Sequence, residues 1–218
     1  MFTPFEDASA DPAIHGFVHA PAKSNGDSMA LTHGAGGNCQ AKLLIEVSDA
    51  LAAAGFTVLR FDLPFRAARR FGPPRPGSAE RDREGLRRAA AVLKKKGGGR
   101  VFLGGHSYGG RQASMQVAED PDAADGLLLL SYPLHPPNKP SELRTKHFRN
   151  LGKPTFFVHG TRDAFATVDE LQSAVALIPA RHVVMEIDGA AHDLLSKKSA
   201  SDLPSRIVRE FQTFLGTL

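Results

Sequence analysis

The chain of 218 residues holds one cysteine, Cys39, so it cannot close an intrachain disulfide, and nothing in its cysteine usage points to an oxidising compartment. Long apolar runs are also missing. The longest, such as residues 127–130, fall far short of the ~20 residues that span a bilayer. The first twenty residues carry Glu6, Asp7 and Asp11 where a secretory leader would place basic residues followed by an apolar stretch. These absences set the expectation of a soluble, cytoplasmic protein without a membrane partner. There is no His-Glu-x-x-His, no paired cysteines and no dense carboxylate cluster, so no metal is expected. Gly97, Gly98 and Gly99 lack a following Lys-Ser/Thr and precede a strand, which excludes a phosphate-binding loop and leaves no cofactor expected. Internal repeats and a second-domain boundary are absent too.

What is present fits one α/β domain over residues 1–218. A chain of this length buries about 70% of the surface its unfolded form exposes, enough for a core without staples. Positive charge is concentrated. Between residues 66 and 100 twelve Lys/Arg stand against three acids, so the remainder of a chain of net charge +4 is mildly acidic. Such a segment could draw in an anion or nucleic acid. Aromatic residues do not interleave with its charges as a base-stacking platform requires, so a solvated helix face and loop is the expectation, with no nucleic-acid partner.

Short apolar runs alternate with helical stretches, the pattern of a parallel sheet covered by helices on both faces. The spacing predicts strands at 29–32, 57–63, 100–104, 126–131, 155–159 and 183–187, and at most one earlier strand, near 14–19. Helices are predicted at 41–54 (with Asn38 as its cap), 79–96, from after the turn 105–109 to about 119, 168–177 and 205–215, the last with Ile207, Phe211 and Phe214 inward. A mostly parallel sheet of six or seven strands follows. The proline-bearing segments 65–78 and 132–152 read as loops.

The strongest chemical signal is Gly105-His106-Ser107-Tyr108-Gly109, a G-x-S-x-G set between a buried strand and a helix. That context makes a nucleophile elbow: Ser107 sits on a strained turn, and side chains at Gly105 or Gly109 would strike neighbouring backbone. A serine hydroxyl needs a base. In the chain order Ser, acid, His, the loop after strand 155–159 offers Asp163 and the loop after strand 183–187 offers His192. Asp188 is the second candidate acid, and Asp169, which starts a helix, a weaker one. Two amides should form an oxyanion hole, one from Tyr108 and one from the glycine-rich loop 33–37, Ala35 first and Gly36 next. His33, His106, His159, His182 and Cys39 read as bracing or packing residues, with the His106 side chain pointing away from Ser107.

Four stretches carry a family resemblance: LTHGAGGN (31–38), FDLPFRAARR (61–70), GGHSYGGR (104–111) and SYPLHPPNKPSELRTKHF (131–148). Through them the chain resembles the α/β-hydrolase superfamily over nearly its whole length. More narrowly it is similar to small dienelactone-hydrolase-like proteins that include a testis-expressed protein and a subunit of a histone acetyltransferase complex. The resemblance implies the three-layer hydrolase fold and a Ser-His-Asp triad, and names no substrate. The last stretch lies where larger relatives insert a lid and is too short for a helical lid domain. The expected site is therefore open or covered only by loops 65–78 and 132–152, with Arg66, Arg111, His135 and Arg144 at its entrance. The expected function is hydrolysis of a small-molecule ester or thioester. The competing reading is a non-catalytic interaction scaffold that keeps the fold, since fold does not fix function.

Overall fold

The computed structural model describes residues 2–97, 99–194 and 202–216. Among these, eight strands form one sheet: β1 (Phe2–Asp7), β2 (Ile14–His19), β3 (Ser28–Thr32), β4 (Thr57–Phe61), β5 (Val101–His106), β6 (Gly126–Leu130), β7 (Thr155–Gly160) and β8 (His182–Ile187). Their order is β1-β2-β4-β3-β5-β6-β7-β8. β1 and β2 pair antiparallel, β2 pairs antiparallel with β4, and the rest are parallel. The helices among the described residues are α1 (Lys42–Ala53), α2 (Pro64–Ala67), α3 (Ser78–Lys96), α4 (Tyr108–Glu119), α5 (Val168–Val175) and α6 (Leu203–Gly216). Between β6 and β7 the helical content is a three-residue 3-10 turn, Phe148–Asn150, so no helical lid is inserted there.

Strand residues alternate between two apolar layers, as the period of 2 demands. Leu103, Leu127, Leu129 and Phe157 face α3, α4 and α5 through Leu86, Leu93, Ala113, Val117 and Leu171. Phe102, Leu128, Leu130 and Phe156 face α1 and α6 through Val47, Leu51, Ile207, Phe211 and Phe214. Because both faces are covered, β5 and β6 read as unbroken apolar runs.

Three expectations are corrected. The sheet has eight strands, because β1 exists as well as β2; its Phe2 and Phe5 are three apart, so alternation does not reveal it, and its Pro4 is tolerated at a sheet edge. Residues 64–67 form α2, where Pro64 at the first turn favours a helix. Asn38 does not cap α1: the cap position is Ala41, and Asn38 Oδ1 closes a turn by accepting from Gln40 N–H at 2.8 Å.

The antiparallel edge is pinned by Arg60, which is 0% exposed. Its guanidinium packs on the Phe2 and Phe17 rings, 4.3 and 4.2 Å from their centroids. Nη1 donates to the Cys39 carbonyl at 2.6 Å and Nε to His19 Nε2 at 2.7 Å. Arginine only donates, so His19 presents a lone pair at Nε2 and its Nδ1–H donates to Asp49 at 2.8 Å. The basic segment is also used internally. Arg83 pairs with Glu119, Arg87 with Glu84, Arg100 with Asp27 and Arg81 with Asp11. Arg88 is buried on the Ala10 and Pro12 carbonyls and Asp7.

Burial pushes down the pKa of His19, His33 and His106, and burial together with the Arg111 charge pushes His147 down to about 4. The unfolded chain therefore binds protons near pH 6.5 that the native state refuses. Stability is fully present above about pH 6.5 and falls as pH drops through the window toward 4. The urea midpoint should be level between pH 8 and 7 and decline steadily from pH 6.5 to 5. A midpoint that is flat or rises over that lower range contradicts the assignment.

Candidate active site

β5 ends in a turn that only glycine permits. A Cβ at Gly105 would sit 2.7 Å from backbone atoms of Gly109 and Gly110, and one at Gly109 would sit 2.5 Å from the His33 carbonyl oxygen. The tight packing throws Ser107 into φ 50, ψ −114, a sparsely populated conformation for a non-glycine residue. The turn is fastened by Ser107 N–H to Leu130 O at 2.8 Å and by Arg111 N–H to Ser107 O at 3.0 Å.

The side chains of Ser107, His192 and Asp163 meet in one hydrogen-bonded chain. His192 Nδ1 lies 2.8 and 3.0 Å from the two Asp163 oxygens, and its Nε2 lies 2.8 Å from Ser107 Oγ. A carboxylate accepts only, so Nδ1–H donates to Asp163 and Nε2 accepts the Ser107 proton. Asp163 is buried and also accepts from Phe165 N–H at 2.8 Å. The alternative acids Asp188 and Asp169 are both exposed and stand outside this chain. The His192 loop closes through the Leu194 N–H to Ala191 O bond, with Leu194 at φ 58.

A cavity of about 440 Å³ opens beside Ser107 and His192. Loop 33–37, Ala41, Leu43, Leu44, Phe165 and Asp193 help to line it. Ala35 and Gly36 thus line the same cavity as Ser107; the turn they occupy is closed by Gly37 N–H to Gly34 O at 3.1 Å, a bond in which neither of their amides takes part. Tyr108 is the first residue of α4, so its amide has no acceptor within the helix.

The entrance set is not found there. None of Arg66, Arg111, His135 and Arg144 lines the cavity. Arg66 is buried and donates to the carbonyls of Gly37, Ala35, Arg69, Arg70 and Gly72 at 2.7–3.1 Å, which makes it the brace of loop 33–37. His135 is buried, with Nδ1 on the Pro136 carbonyl and Nε2 3.4 Å from Glu170. Loops 65–78 and 132–152 contribute no lining residue either; the start of α1 and Phe165 take that place.

Two neighbours of His192 escape sequence reading. The His106 ring packs beside His192: its Nε2 lies 2.8 Å from the His192 carbonyl and its centroid 5.2 Å from that of His192. The Phe165 ring packs 4.1 Å from the His192 ring, a contact its position two residues after Asp163 could have suggested. His33 and His159 brace as expected, His33 Nε2 accepting from Leu63 N–H and His159 Nε2 donating to the Ala166 carbonyl. Cys39 is a packed thiol whose pKa burial pushes up to about 12.

Residues 25–214 match the family model described as Alpha/beta hydrolase domain. The chain belongs to the α/β-hydrolase family. Solved structures agree on the fold. A serine hydrolase homologue from Coxiella burnetii superposes with TM-score 0.76 at 16% identity, covering 95% of this chain and 96% of that one. A dienelactone hydrolase from Anabaena variabilis gives TM-score 0.77 at 17% identity, covering 98% and 97%. A serine hydrolase without a lid from Xanthomonas campestris gives 0.72 at 14% identity, covering 98% and 94%.

The glycines of this hydrolase should separate by contact. A Cβ at Gly36 meets nothing within 4 Å, whereas one at Gly109 meets backbone. Gly36→Ala should leave the melting temperature within about 2 °C of wild type, while Gly109→Ala should cost about 3 kcal/mol or more or prevent folding. Thermal denaturation of both variants checks this; equal effects would contradict the contact argument.

Proposed function

We propose that this α/β-hydrolase is a serine hydrolase that cleaves a small ester or thioester through an acyl-enzyme, with Ser107 as nucleophile, His192 as general base and Asp163 as its orienting acid. The observation that carries the reading is the unbroken relay from Ser107 Oγ through His192 to Asp163. Ser107 Oγ attacks the carbonyl carbon as its proton passes to His192 Nε2, and Asp163 supports the imidazolium that forms. The amides of Tyr108 and Ala35, with Gly36 as the alternative to Ala35, hold the developing oxyanion. The tetrahedral intermediate collapses, His192 returns the proton to the departing alcohol or thiol, and water repeats the cycle to release the acid.

The cavity suits an apolar acyl group. Ala41, Leu43, Leu44 and Phe165 offer hydrocarbon, and the cavity's lysine, Lys42, faces Glu46 at 3.6 Å. A carboxylate in the acyl part would find no arginine there.

A fluorophosphonate probe should label the wild-type protein and leave Ser107→Ala and His192→Ala unlabelled. Against p-nitrophenyl esters, both variants should lose about 10⁶-fold in kcat and Asp163→Asn about 10⁴-fold. Failure of the folded wild type to label or to turn over any ester or thioester would sink this reading and favour a scaffold.

A further inference from the structure

The family-like stretch 61–70 delivers a cation to the loop that lines the cavity. The Arg66 guanidinium grips that loop with two nitrogens: Nε donates to the Gly37 carbonyl at 2.7 Å and Nη2 to the Ala35 carbonyl at 3.1 Å. The head is fixed in turn by the Arg69, Arg70 and Gly72 carbonyls at 2.8–3.1 Å. The Gly37 N–H to Gly34 O bond closes a four-residue turn with Ala35 and Gly36 at its two central positions. Such a turn has two forms that differ by a flip of the central peptide, here Ala35–Gly36. The flipped form needs φ well above zero at the second central residue, which glycine adopts freely and other residues do not. Gly36 lies outside that region.

Gly36 does not hold the turn in this form by itself. A Cβ there would meet no atom within 4 Å, so no neighbour packs against that face of the residue. What opposes the flip is the bond from Arg66 Nη2 to the Ala35 carbonyl. Across a trans peptide the C=O and the N–H point in opposite directions. Arg66 is buried and does not line the cavity, whereas Ala35 and Gly36 do. With the Ala35 carbonyl turned to the cation, the Gly36 N–H is turned the other way, to the side of the cavity. A flip would exchange the two. A carbonyl oxygen would then face the developing oxyanion and repel it, and an N–H would oppose the guanidinium donors.

We infer that Arg66 is a positioning residue for the hydrolytic reaction, the latch that keeps the Ala35–Gly36 peptide with its N–H toward the oxyanion. The inference rests on the serine-hydrolase reading. It holds whether the second oxyanion donor is the Ala35 or the Gly36 amide, because a flipped Ala35 carbonyl disturbs the oxyanion in either case. Glycine at position 36 is what makes a latch necessary. Alanine there would disfavour the flipped form unaided.

A double-mutant cycle between positions 66 and 36 tests it. Arg66→Lys keeps the charge and loses the fork. Made alone, it should lower kcat on p-nitrophenyl butyrate about ten- to hundredfold and leave KM within about threefold. The Ki of a trifluoromethyl ketone, whose hemiketal with Ser107 carries an oxyanion, should rise by about the same factor as kcat falls. Made on top of Gly36→Ala, the same substitution should cost at least about fivefold less in both measures. A brace that is merely structural would lower the melting temperature alike in both backgrounds and leave the inhibitor affinity of the folded enzyme unchanged. That result, or equal losses of kcat in both backgrounds, overturns the inference. Should Arg66→Lys fail to fold, a crystal structure of the wild-type hemiketal decides. The Ala35 carbonyl is expected on Arg66 with the Gly36 N–H turned to the side of the hemiketal oxygen, and the opposite orientation overturns the latch. If wild type neither hydrolyses esters nor forms the hemiketal, the hydrolytic reading falls and takes the inference with it. An active wild type whose losses do not depend on residue 36 sinks the inference alone.

Discussion

At Gly105 and Gly109 the backbones of β5, α4 and the loop after β3 approach with no room for a side chain. That close packing is the constraint on which the site depends. It turns the chain from strand to helix within one residue and leaves the strained Ser107 at the head of α4. It also brings loop 33–37 against the serine, because a Cβ on Gly109 would strike the His33 carbonyl. The strain at Ser107 persists because the surrounding sheet over-determines it: Leu130 O and Arg111 N–H hold the residue from both sides. The remaining partners, Asp163 and His192, then need only stand just past the ends of β7 and β8, on the same rim of the parallel sheet.

The loops around Ser107 and His192 are held by side-chain donors, and no helical lid is inserted between β6 and β7. Arg66 gathers five carbonyls from two loops, and His106 takes the His192 carbonyl. Asp82 is fully buried and accepts from Phe65 N–H and the Tyr108 hydroxyl, tying α2 and α4 to α3. Such networks keep the geometry of a site within the tolerance that catalysis demands. The positive charge concentrated in 66–100 is largely absorbed the same way, by acids and carbonyls of the N-terminal strands and of α3 and α4.

Much of the fold is legible in the sequence, and what is not has physical causes. The parallel strands are readable because both faces are buried, which writes them as apolar runs such as 127–130. β1 is not, because an edge strand anchored on Arg60 through Phe2 shows no clean alternation. The Ser107, Asp163 and His192 positions can be named because a parallel sheet places strand ends on one rim, whatever the sequence distance between them. The entrance arginines cannot be placed. A guanidinium on a long flexible stem can reach carbonyls, solvent or a cavity, and its position along the chain does not say which.

The sequence by itself determined the layered fold, the elbow and the order in which its partners follow. Local rules govern these: glycine where backbones touch, apolar runs where both faces are covered, and turns at strand ends. Only the tertiary structure decided what the cationic and aromatic side chains do. Arg66 became a brace, and His106 and Phe165 became walls around His192. Those outcomes depend on which distant carbonyl, ring or charge arrives within about 3–5 Å, and no local pattern encodes that arrival.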